Sequence, residues 1–453
     1  MSEWKRVKIG DLCRIVKGTT GIASAEPGQY PLVVTAEERK TCFTYQFDCE
    51  AVCIPLVSSS GHGKKSLKNV HYQSGKFALG TILCAVIPNN TQELDARYLH
   101  QYLQFYKDTI LVPLMKGAAN VSLSMKDIAT VEFPLPPIER QRELSNLFVS
   151  LHEKQKELSA EYEKQTEYAK LLRQNILQEA IEGKLTAAWR KQNPVVKGDI
   201  NFDAEALFEQ IQKEKYHTDS ILLTQNQDKK KKGKSLDFPN PCDNKEKPFE
   251  IPEGWKWVRL GEIIKEPPRN GYSPKAVDFE TSTKTLKLGA ITYGVFNPKE
   301  YKFINEEIPK DAYCWLKNGD FLIERSNSIE YVGICAIYTG KDNEFMYPDL
   351  LMRFRTQDIL PKKYIHTALI SPFNRSYFMN NAKGAQKTMP KINQETVVNT
   401  MIPLPPLKEQ EEIVSIVEKH LQSVSDLENQ ITEREQLTKQ LMQSILKDAF
   451  EEK

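Results

Sequence analysis

The residues best suited to chemistry in this chain lie in short loops that combine lysine, arginine, serine and asparagine with glycine. Such side chains suit hydrogen bonding to the edges of nucleic-acid bases, and lysine also suits contact with phosphate. The clearest example is the stretch 58–65, Ser-Ser-Ser-Gly-His-Gly-Lys-Lys, with Lys68 close behind it. Glycine permits a close approach of the backbone to a ligand, so this stretch is a candidate contact loop.

Further loops share this composition. Residues 324–328 are the counterpart of 58–65 later in the chain, residues 269–273 read Arg-Asn-Gly-Tyr-Ser, and stretches 116–120 and 383–387 both begin with Lys-Gly-Ala. Glycine, serine and asparagine also dominate ordinary turns, so a plain polar turn is the alternative for each loop. The predicted contact residues are Ser59, Ser60, Lys64, Lys65, Lys68, Lys116, Asn120, Arg269, Asn270, Tyr272, Arg325, Ser326, Asn327, Lys383, Gln386 and Lys387.

Motifs for catalysis are missing from the sequence. None of the Pro-Pro pairs, at 136–137, 267–268 and 405–406, has the Asn or Asp before it and the aromatic residue after it that an adenine methyltransferase needs. The chain has neither a Gly-x-Gly-x-x-Gly turn nor a phosphate-binding Gly-x-x-x-x-Gly-Lys loop, and its seven histidines lack ligand spacing. We therefore expect no catalytic residues and no cofactor of its own.

Cysteine spacing and net charge restrict the alternatives further. None of the eight cysteines forms a Cys-x-x-Cys pair, so we expect buried free thiols and no metal. The net charge of +2 is low for a nucleic-acid binder, but affinity depends on where cations cluster. The sequence has no run of eighteen apolar residues and its first residues lack a secretory core, which predicts a cytoplasmic protein without a membrane span.

An internal repeat organises the chain. Residues 134–184 align without a gap with residues 403–453, both beginning Pro-Leu-Pro-Pro, and the Trp-Lys-x-Val opening at residue 4 recurs at residue 255. Between these anchors the two halves diverge, so the order is variable part, helix, variable part, helix. A repeat of this length indicates duplication of a domain.

Both repeated segments predict long helices. Pro136-Pro137 before Glu139 suits a helix start and Gly183 suits a stop. About 45 residues would form a rod of roughly 67 Å, which favours an antiparallel coiled coil over an amphipathic helix that lies on a globular body. The apolar positions near heptad spacing that we assign to this seam and to subunit docking are Leu144, Leu151, Leu158, Leu172, Ile413, Val417, Leu427 and Leu441.

The predicted fold class is α+β, with two variable α/β domains joined by two long antiparallel coiled-coil helices in a pseudo-twofold repeat. The expected boundaries are 1–133 and 251–402 for the variable domains, 134–190 and 403–453 for the helices, and 191–250 for a linker. The lysine run within the linker, flanked by glycine and proline, is typical of a solvated tether, with non-specific phosphate contact as the alternative.

The Pro-Leu-Pro-Pro boxes that lead to Gln141 and Gln410, the stretch Gly-Lys-Leu-Thr-Ala-Ala-Trp-Arg at 183–190 and the opening of each half resemble the specificity subunit of type I restriction–modification enzymes. The first box departs slightly, with Arg140 where the family has glutamate. The resemblance implies two target-recognition domains on double-stranded DNA. It also implies two adenine methyltransferase subunits that carry S-adenosylmethionine, with restriction subunits as further candidate partners.

Two other interpretations stay open at the level of sequence. A duplicated coiled-coil scaffold that binds only proteins agrees with the near-neutral charge, but two divergent domains on repeated helices argue against it. A degenerate or novel nuclease lacks any motif in its support. The duplicated architecture favours DNA reading, because DNA has backbone twofold symmetry and two different domains would read an asymmetric, divided target.

Overall fold

The computed structural model describes residues 4–60, 63–225, 247–384 and 389–451, with the backbone alone for 217–225. The chain divides into two compact units, residues 1–164 with 431–453 and residues 165–430. Each unit mixes helices and strands, which confirms the predicted α+β class. No helix in the described part of the chain is long and apolar enough to cross a membrane.

The first unit is built from short strands, most of them antiparallel. Its elements in chain order are β1 Lys5–Lys8, α1 Ile9–Leu12, β2 Cys13–Lys17, β3 Tyr30–Val33, β4 Lys40–Cys42, β5 Phe47–Asp48, β6 Ala51–Pro55, β7 His71–Gln73, β8 Lys76–Leu79, β9 Leu83–Pro88, α2 Ala96–Ile110, α3 Met125–Ala129 and β10 Glu132–Leu135. The strand order is β2-β9-β6-β7 in one sheet and β4-β3-β8-β5 in the other, and β1 pairs with β10. Continuous apolar runs in β6 and β9 explain why both strands are buried on both faces.

The second unit repeats part of this plan. It contains α5 Ala187–Gln192, α6 Ala204–Gln225, β11 Lys256–Arg259, α7 Leu260–Ile263, β12 Ile264–Asn270, β13 Ala276–Val277, β14 Thr283–Leu286, β15 Tyr301–Ile304, β16 Phe321–Glu324, β17 Cys335–Ile337, β18 Leu351–Thr356, α8 Lys362–Ile370, α9 Pro372–Asn381, α10 Gln394–Val398 and β19 Met401–Leu404. Its sheets have the orders β12-β18-β16-β17 and β13-β15-β14, and β11 pairs with β19 as β1 pairs with β10.

Two helices of 44 residues follow the Pro-Leu-Pro-Pro boxes, as predicted from the sequence: Ile138–Ile181 and Leu407–Phe450. These helices are α4 and α11 in chain order, and we name them αN and αC because each contributes residues to both units. The first ends before Gly183, whose φ of +70° is the left-handed conformation that commonly terminates a helix.

The start of each long helix is tied to its own unit by buried hydrogen bonds. In the first unit the Tyr98 hydroxyl donates to the Pro134 carbonyl at 2.8 Å, and the Gln141 amide donates to the Pro136 carbonyl at 2.8 Å. Tyr98 and Gln141 are fully buried. The repeated glutamine therefore satisfies a carbonyl that the proline-rich turn would otherwise leave without a partner.

The second unit uses the same bonds at the equivalent positions. The Tyr364 hydroxyl donates to the Pro403 carbonyl, and the Gln410 amide donates to the Pro405 carbonyl at 2.8 Å. Burial raises the pKa of Tyr364 well above its ordinary value, so the hydroxyl stays protonated and able to donate. The two anchors explain why this sequence box is repeated so closely.

Within the first unit αN and αC run antiparallel. The hydroxyl oxygens of Tyr162 and Thr438 lie 2.9 Å apart, and the rings of Phe148 and Phe450 lie 4.5 Å apart between centroids. Moving forward along αN thus corresponds to moving backward along αC. Leu144 is buried and Leu151 and Leu158 are partly buried, in agreement with their predicted positions in the seam.

Within the second unit the two helices are also antiparallel. The Arg173 guanidinium of αN donates to the Glu428 carboxylate of αC at 2.9 Å. Thr186, which follows the end of αN, donates a hydrogen bond to Glu409 in the first turn of αC. Ile413 and Val417 are buried as predicted, beside Ala169 and Val424. The contact between the two helices thus combines small or branched apolar side chains with the Arg173–Glu428 ion pair.

The prediction was wrong for three seam positions. Leu172, Leu427 and Leu441 are 46, 40 and 61% exposed. In each case the next residue faces the partner helix instead: Arg173, Glu428 and Met442. The facing positions of αC follow strict steps of three and four, 424, 428, 431, 435, 438 and 442, so a leucine one residue off this spacing points outward.

The linker prediction was also wrong in its first half. Residues 204–225 form α6, and Leu207 and Ile211 are fully buried in the core of the second unit. Apolar residues at positions 204, 207 and 211 give the helical spacing that the neighbouring lysine run obscured. The lysine run itself lies outside the described residues.

A buried carboxylate joins the end of αN to the start of αC in the second unit. Glu409 is 1% exposed and accepts hydrogen bonds from Thr186 at 2.6 Å, Arg190 at 2.5 Å and the indole of Trp255 at 2.7 Å. Arg190 also donates to the Gly183 carbonyl at 2.6 Å. The second Pro-Leu-Pro-Pro box, the stretch 183–190 and the opening of the second half therefore meet at one ion pair.

Replacement of Glu409 tests this joint. We expect Glu409→Ala to lower the free energy of unfolding by about 3 kcal/mol, because it leaves Arg190 largely buried without its counter-ion. The matched control is Arg140→Ala at the equivalent position of the first copy, where Arg140 pairs with Glu143 on the surface and the cost is below about 1 kcal/mol. Urea unfolding followed by tryptophan fluorescence measures both, and equal midpoints would contradict the assignment.

Candidate nucleic-acid interface

Two predicted contact loops of the first unit lie side by side. The Ser58 amide donates to the Val121 carbonyl at 3.0 Å, and the amide and carbonyl of Lys116 both bond to Ser122 at 2.8 Å. A Cβ built on Gly63 would lie 2.9 Å from the Ala118 carbonyl oxygen, so the loops approach closely there. Residues 58–60 and 63–68 thus form one surface with the stretch 116–122.

The serines of this surface bond to other residues of the loop, whereas its lysines are exposed to solvent. The Ser60 hydroxyl lies 2.6 Å from that of Ser66, and the Ser59 hydroxyl accepts from the Lys68 amide at 2.9 Å. These bonds brace the loop internally. Lys64, Lys65 and Lys68 are exposed, as phosphate contacts require.

The Lys-Gly-Ala loop presents its lysine from a fixed turn. Lys116 is 77% exposed, and its amine lies 3.2 Å from Asp127. Hydrogen bonds from Ser124 and then from Lys116 hold the pKa of Asp127 below its usual range. Gly117 has φ of +121°, and a Cβ there would lie 2.2 Å from the Asn120 carbonyl oxygen, so only glycine fits this turn. Asn120 is exposed at the end of the turn.

The second unit brings its candidate loops together in the same way. Lys383 and Ser326 each form an isolated bridge with Lys391, as Lys116 and Val57 do with Ser122 in the first unit. The Ile392 amide also donates to the Arg325 carbonyl at 3.0 Å. Lys383 is exposed, whereas Gln386 and Lys387 lie outside the described residues.

The loop 269–273 joins the same surface through Asp349. The Ser273 hydroxyl donates to the Asp349 carboxylate at 2.5 Å and accepts from its amide at 3.0 Å. The Arg325 guanidinium donates to the Asp349 carbonyl at 3.3 Å. Three stretches far apart in sequence therefore meet at one place. Sequence reasoning missed Asp349, which belongs to no motif.

The side chains of this loop are held in defined positions. The guanidinium carbon of Arg269 lies 3.4 Å from the centre of the Tyr313 ring, a cation–π stack that leaves the guanidinium at the surface. The Tyr272 hydroxyl donates to Glu306 at 3.0 Å, and this bond raises the pKa of Tyr272. Asn270 is half-buried, and its side-chain oxygen is enclosed without a hydrogen-bond partner among the described residues.

The structure contradicts the predicted contact role of Ser326. Its side chain is fully buried, so it cannot reach a ligand in this conformation. The backbone bridge with Lys391 turns alternate residues inward, which leaves Arg325 and Asn327 partly accessible. The Asn327 amide is already engaged, since it donates to the Glu324 carboxylate at 2.6 Å.

Glu324, the first residue of the candidate stretch 324–328, is a positioning residue that was not among the predicted contact residues. Its carboxylate is fully buried at the end of β16 and accepts from Asn327 and from the Thr292 hydroxyl at 2.8 Å. Burial raises the pKa of Glu324 above its usual range. One carboxylate thus ties the loop 325–328 to the turn that follows Thr292.

The first unit also has a groove of about 1540 Å³ beside α2, β7 and the ends of the long helices. Arg39, Arg97 and His71 line it, and burial lowers the pKa of His71 to about 4. None of the predicted contact residues lines this groove. The loops predicted to contact DNA therefore lie outside this groove.

Metal ligands do not cluster in the described part of the chain, where no three histidine, cysteine, aspartate or glutamate side chains are placed to hold an ion. Cysteines 13, 42, 49, 53, 84, 314 and 335 are free thiols, and all but Cys49 are buried. Burial raises the pKa of Cys13 to about 12, which keeps this thiol protonated and inert.

Comparison with known proteins gives the class. Residues 1–168 and 252–437 match the family described as the type I restriction modification DNA specificity domain. Because the match covers most of the sequence, the chain belongs to this family. A chain from a solved structure of a type I restriction–modification system, determined to explain its assembly and conformational transition, has the same fold with a TM-score of 0.63 at 18% identity, covering 100% of this chain and 98% of that one.

Two curated relatives come from Escherichia coli. The chain is 27% identical over 270 residues to the EcoEI type I restriction enzyme specificity subunit, which covers 58% of this chain and 42% of the relative. It is 26% identical over 342 residues to the EcoKI specificity subunit of strain K12, which covers 74% of this chain and 61% of the relative. The chain thus spans less than two thirds of the length of either relative.

Removal of the Glu324 carboxylate tests whether it holds two loops at once. We expect Glu324→Ala to speed hydrogen exchange at the Gly294 and Ser328 amides together, because Thr292 and Asn327 lose their common acceptor. Hydrogen–deuterium exchange with mass spectrometry measures both loops. Glu300→Ala, which removes a surface partner of Lys287, serves as the control. Faster exchange in only one of the two loops would contradict the shared role.

Proposed function

We propose that this chain is the DNA-specificity subunit of a type I restriction–modification enzyme and that each unit reads one half of a divided DNA target. The observation that carries the proposal is the recurrence of one loop arrangement in both units. In each unit a lysine-bearing loop and a serine-rich or arginine-bearing loop bridge to a common segment, at Ser122 in the first and Lys391 in the second.

The two surfaces carry different side chains on this common arrangement. The first presents Lys64, Lys65 and Lys68, whereas the second presents Arg325 and the stacked Arg269. Arginine suits bidentate contact with guanine, and lysine suits phosphate and guanine. Different donors at equivalent places would select different bases, so the complete target is asymmetric.

In this proposal the long helices set the distance between the half-sites as an antiparallel coiled coil. The seam supports the role because its contacts follow three-and-four spacing and include the Arg173–Glu428 ion pair, which fixes one register. A stiff helical pair transmits a length that a flexible linker would not.

The chain would leave catalysis to its partners. We propose that it docks two adenine methyltransferase subunits that bring S-adenosylmethionine, and that restriction subunits join the same assembly. The exposed leucines Leu172, Leu427 and Leu441 support docking along the helices, since apolar side chains displaced from the seam remain available to another protein. The net charge of +2 favours a second candidate, a scaffold that binds proteins only.

A map of methylated adenines in the host genome tests the function directly. With the gene intact we expect methylation at a split, asymmetric motif, and we expect this methylation to vanish when the gene is deleted while the methyltransferase remains expressed. An unchanged map would contradict the proposal and favour the scaffold. Duplex binding by the assembled enzyme that weakens steeply with salt would also separate the two candidates.

Shortening both helices by one heptad tests their role in spacing. Removal of 158–164 together with 435–441 deletes matched segments of the antiparallel pair and roughly 10 Å of rise from each helix. We expect a shorter spacer between unchanged half-sites, read from the methylation map. Removal of five residues from each helix is the control, because it breaks the three-and-four spacing and should abolish methylation. Altered half-site bases in the heptad variant would contradict the proposed role.

A further inference from the structure

A turn beside the second interface exposes two large apolar side chains. Tyr293 is 86% exposed and Val295 is 72% exposed, on either side of Gly294, whose φ is +73°. Exposed apolar residues are common singly, but a tyrosine and a valine projecting together from one tight turn form a local apolar tip.

The turn is firmly supported from below. Ile291 is fully buried, and the Gly294 amide donates to its carbonyl at 2.8 Å. The Asn297 amide donates to the Ala290 carbonyl at 2.8 Å, and the ring of Phe296 packs against Tyr338 at 4.8 Å between centroids. The residues on both sides of the tip are therefore anchored in the core, and little conformational entropy remains to be lost on binding.

The same turn is continuous with the proposed DNA surface. Thr292, the residue before Tyr293, shares the buried Glu324 carboxylate with Asn327. The proposed DNA surface with which the turn is continuous carries the exposed cations Lys383, Lys391 and Arg269. The carboxylates of Glu306 and Asp349 keep their negative charge but are held to the protein by hydrogen bonds from Tyr272 and Ser273. A polyanion therefore fits this neighbourhood better than an acidic or purely apolar protein surface.

We propose that Tyr293, with Val295 beside it, is a wedge that stacks on a base step of the duplex within the half-site read by the second unit. This inference rests on the proposed function. An aromatic side chain offers a flat apolar face to the bases, and insertion beside a base step partly unstacks and bends the duplex. The energy of that distortion depends on the step, so the second unit reads deformability in addition to base edges.

The assembled enzyme with its methyltransferase partner tests the wedge on a duplex that carries the motif from the methylation map. 2-Aminopurine is placed in turn at adenine positions of each half-site, because its fluorescence rises when it is unstacked. The methyltransferase subunits flip their target adenines, so the methylated position of each half-site gives a rise of its own. With the unaltered enzyme we expect a several-fold rise at one further position, in one half-site only. Tyr293→Ala should abolish this further rise and weaken binding roughly tenfold, whereas Tyr293→Trp should retain both.

Tyr216→Ala provides the matched control, since Tyr216 is a tyrosine 79% exposed on α6 of the same unit. If Tyr293→Ala and Tyr216→Ala behave alike in fluorescence and affinity while the unaltered enzyme binds its motif, the wedge is overturned and the proposed function stands. If Tyr293→Ala instead releases the methyltransferase subunits without changing the fluorescence rise, the tip is a protein contact and the wedge is likewise overturned. Failure of the unaltered enzyme to bind its motif overturns the proposed function itself.

Discussion

Everything proposed for the long helices depends on how firmly each one is joined to the unit where it starts. A helix whose first turn could pivot would not hold a fixed distance between two reading surfaces. Gln141 and Gln410 prevent this motion because each donates a hydrogen bond to a buried carbonyl of the proline-rich turn. Tyr98 and Tyr364 donate to a second carbonyl just before it. Losing either partner would leave an unsatisfied polar group in the core, which keeps the helix start in one geometry.

The two Pro-Leu-Pro-Pro boxes differ at one position, where the second carries a buried carboxylate and the first a surface arginine. Glu409 holds Thr186, Arg190 and Trp255 in a buried network, and the equivalent position in the first copy is Arg140, which pairs at the surface. A buried carboxylate is tolerated only where donors surround it. The departure of the first box from the family pattern therefore has a physical reason in the different surroundings of the two positions.

Sequence predicted features that depend on local spacing and missed those that depend on tertiary contact. The long helices, their starts and the composition of the polar loops follow from repeats, proline and glycine. The sequence did not predict the outward direction of Leu172. Two possible heptad registers of αN differ by one residue, and contact with αC places Arg173 in the seam instead of Leu172. Asp349 was missed and the positioning role of Glu324 was not predicted, because an acid carries no signal in sequence until the loops that it joins are adjacent.

Backbone bridges explain how the surface proposed to read DNA can change its side chains while its framework stays constant. In both units the bridge at Ser122 or Lys391 is made by backbone atoms, which any side chain can supply. Side chains that contact a ligand therefore vary without cost to the bridge, whereas Gly117 cannot vary because its turn excludes a Cβ. The repeated boxes, by contrast, make buried glutamine and tyrosine hydrogen bonds, which restrict the side chains that these positions tolerate.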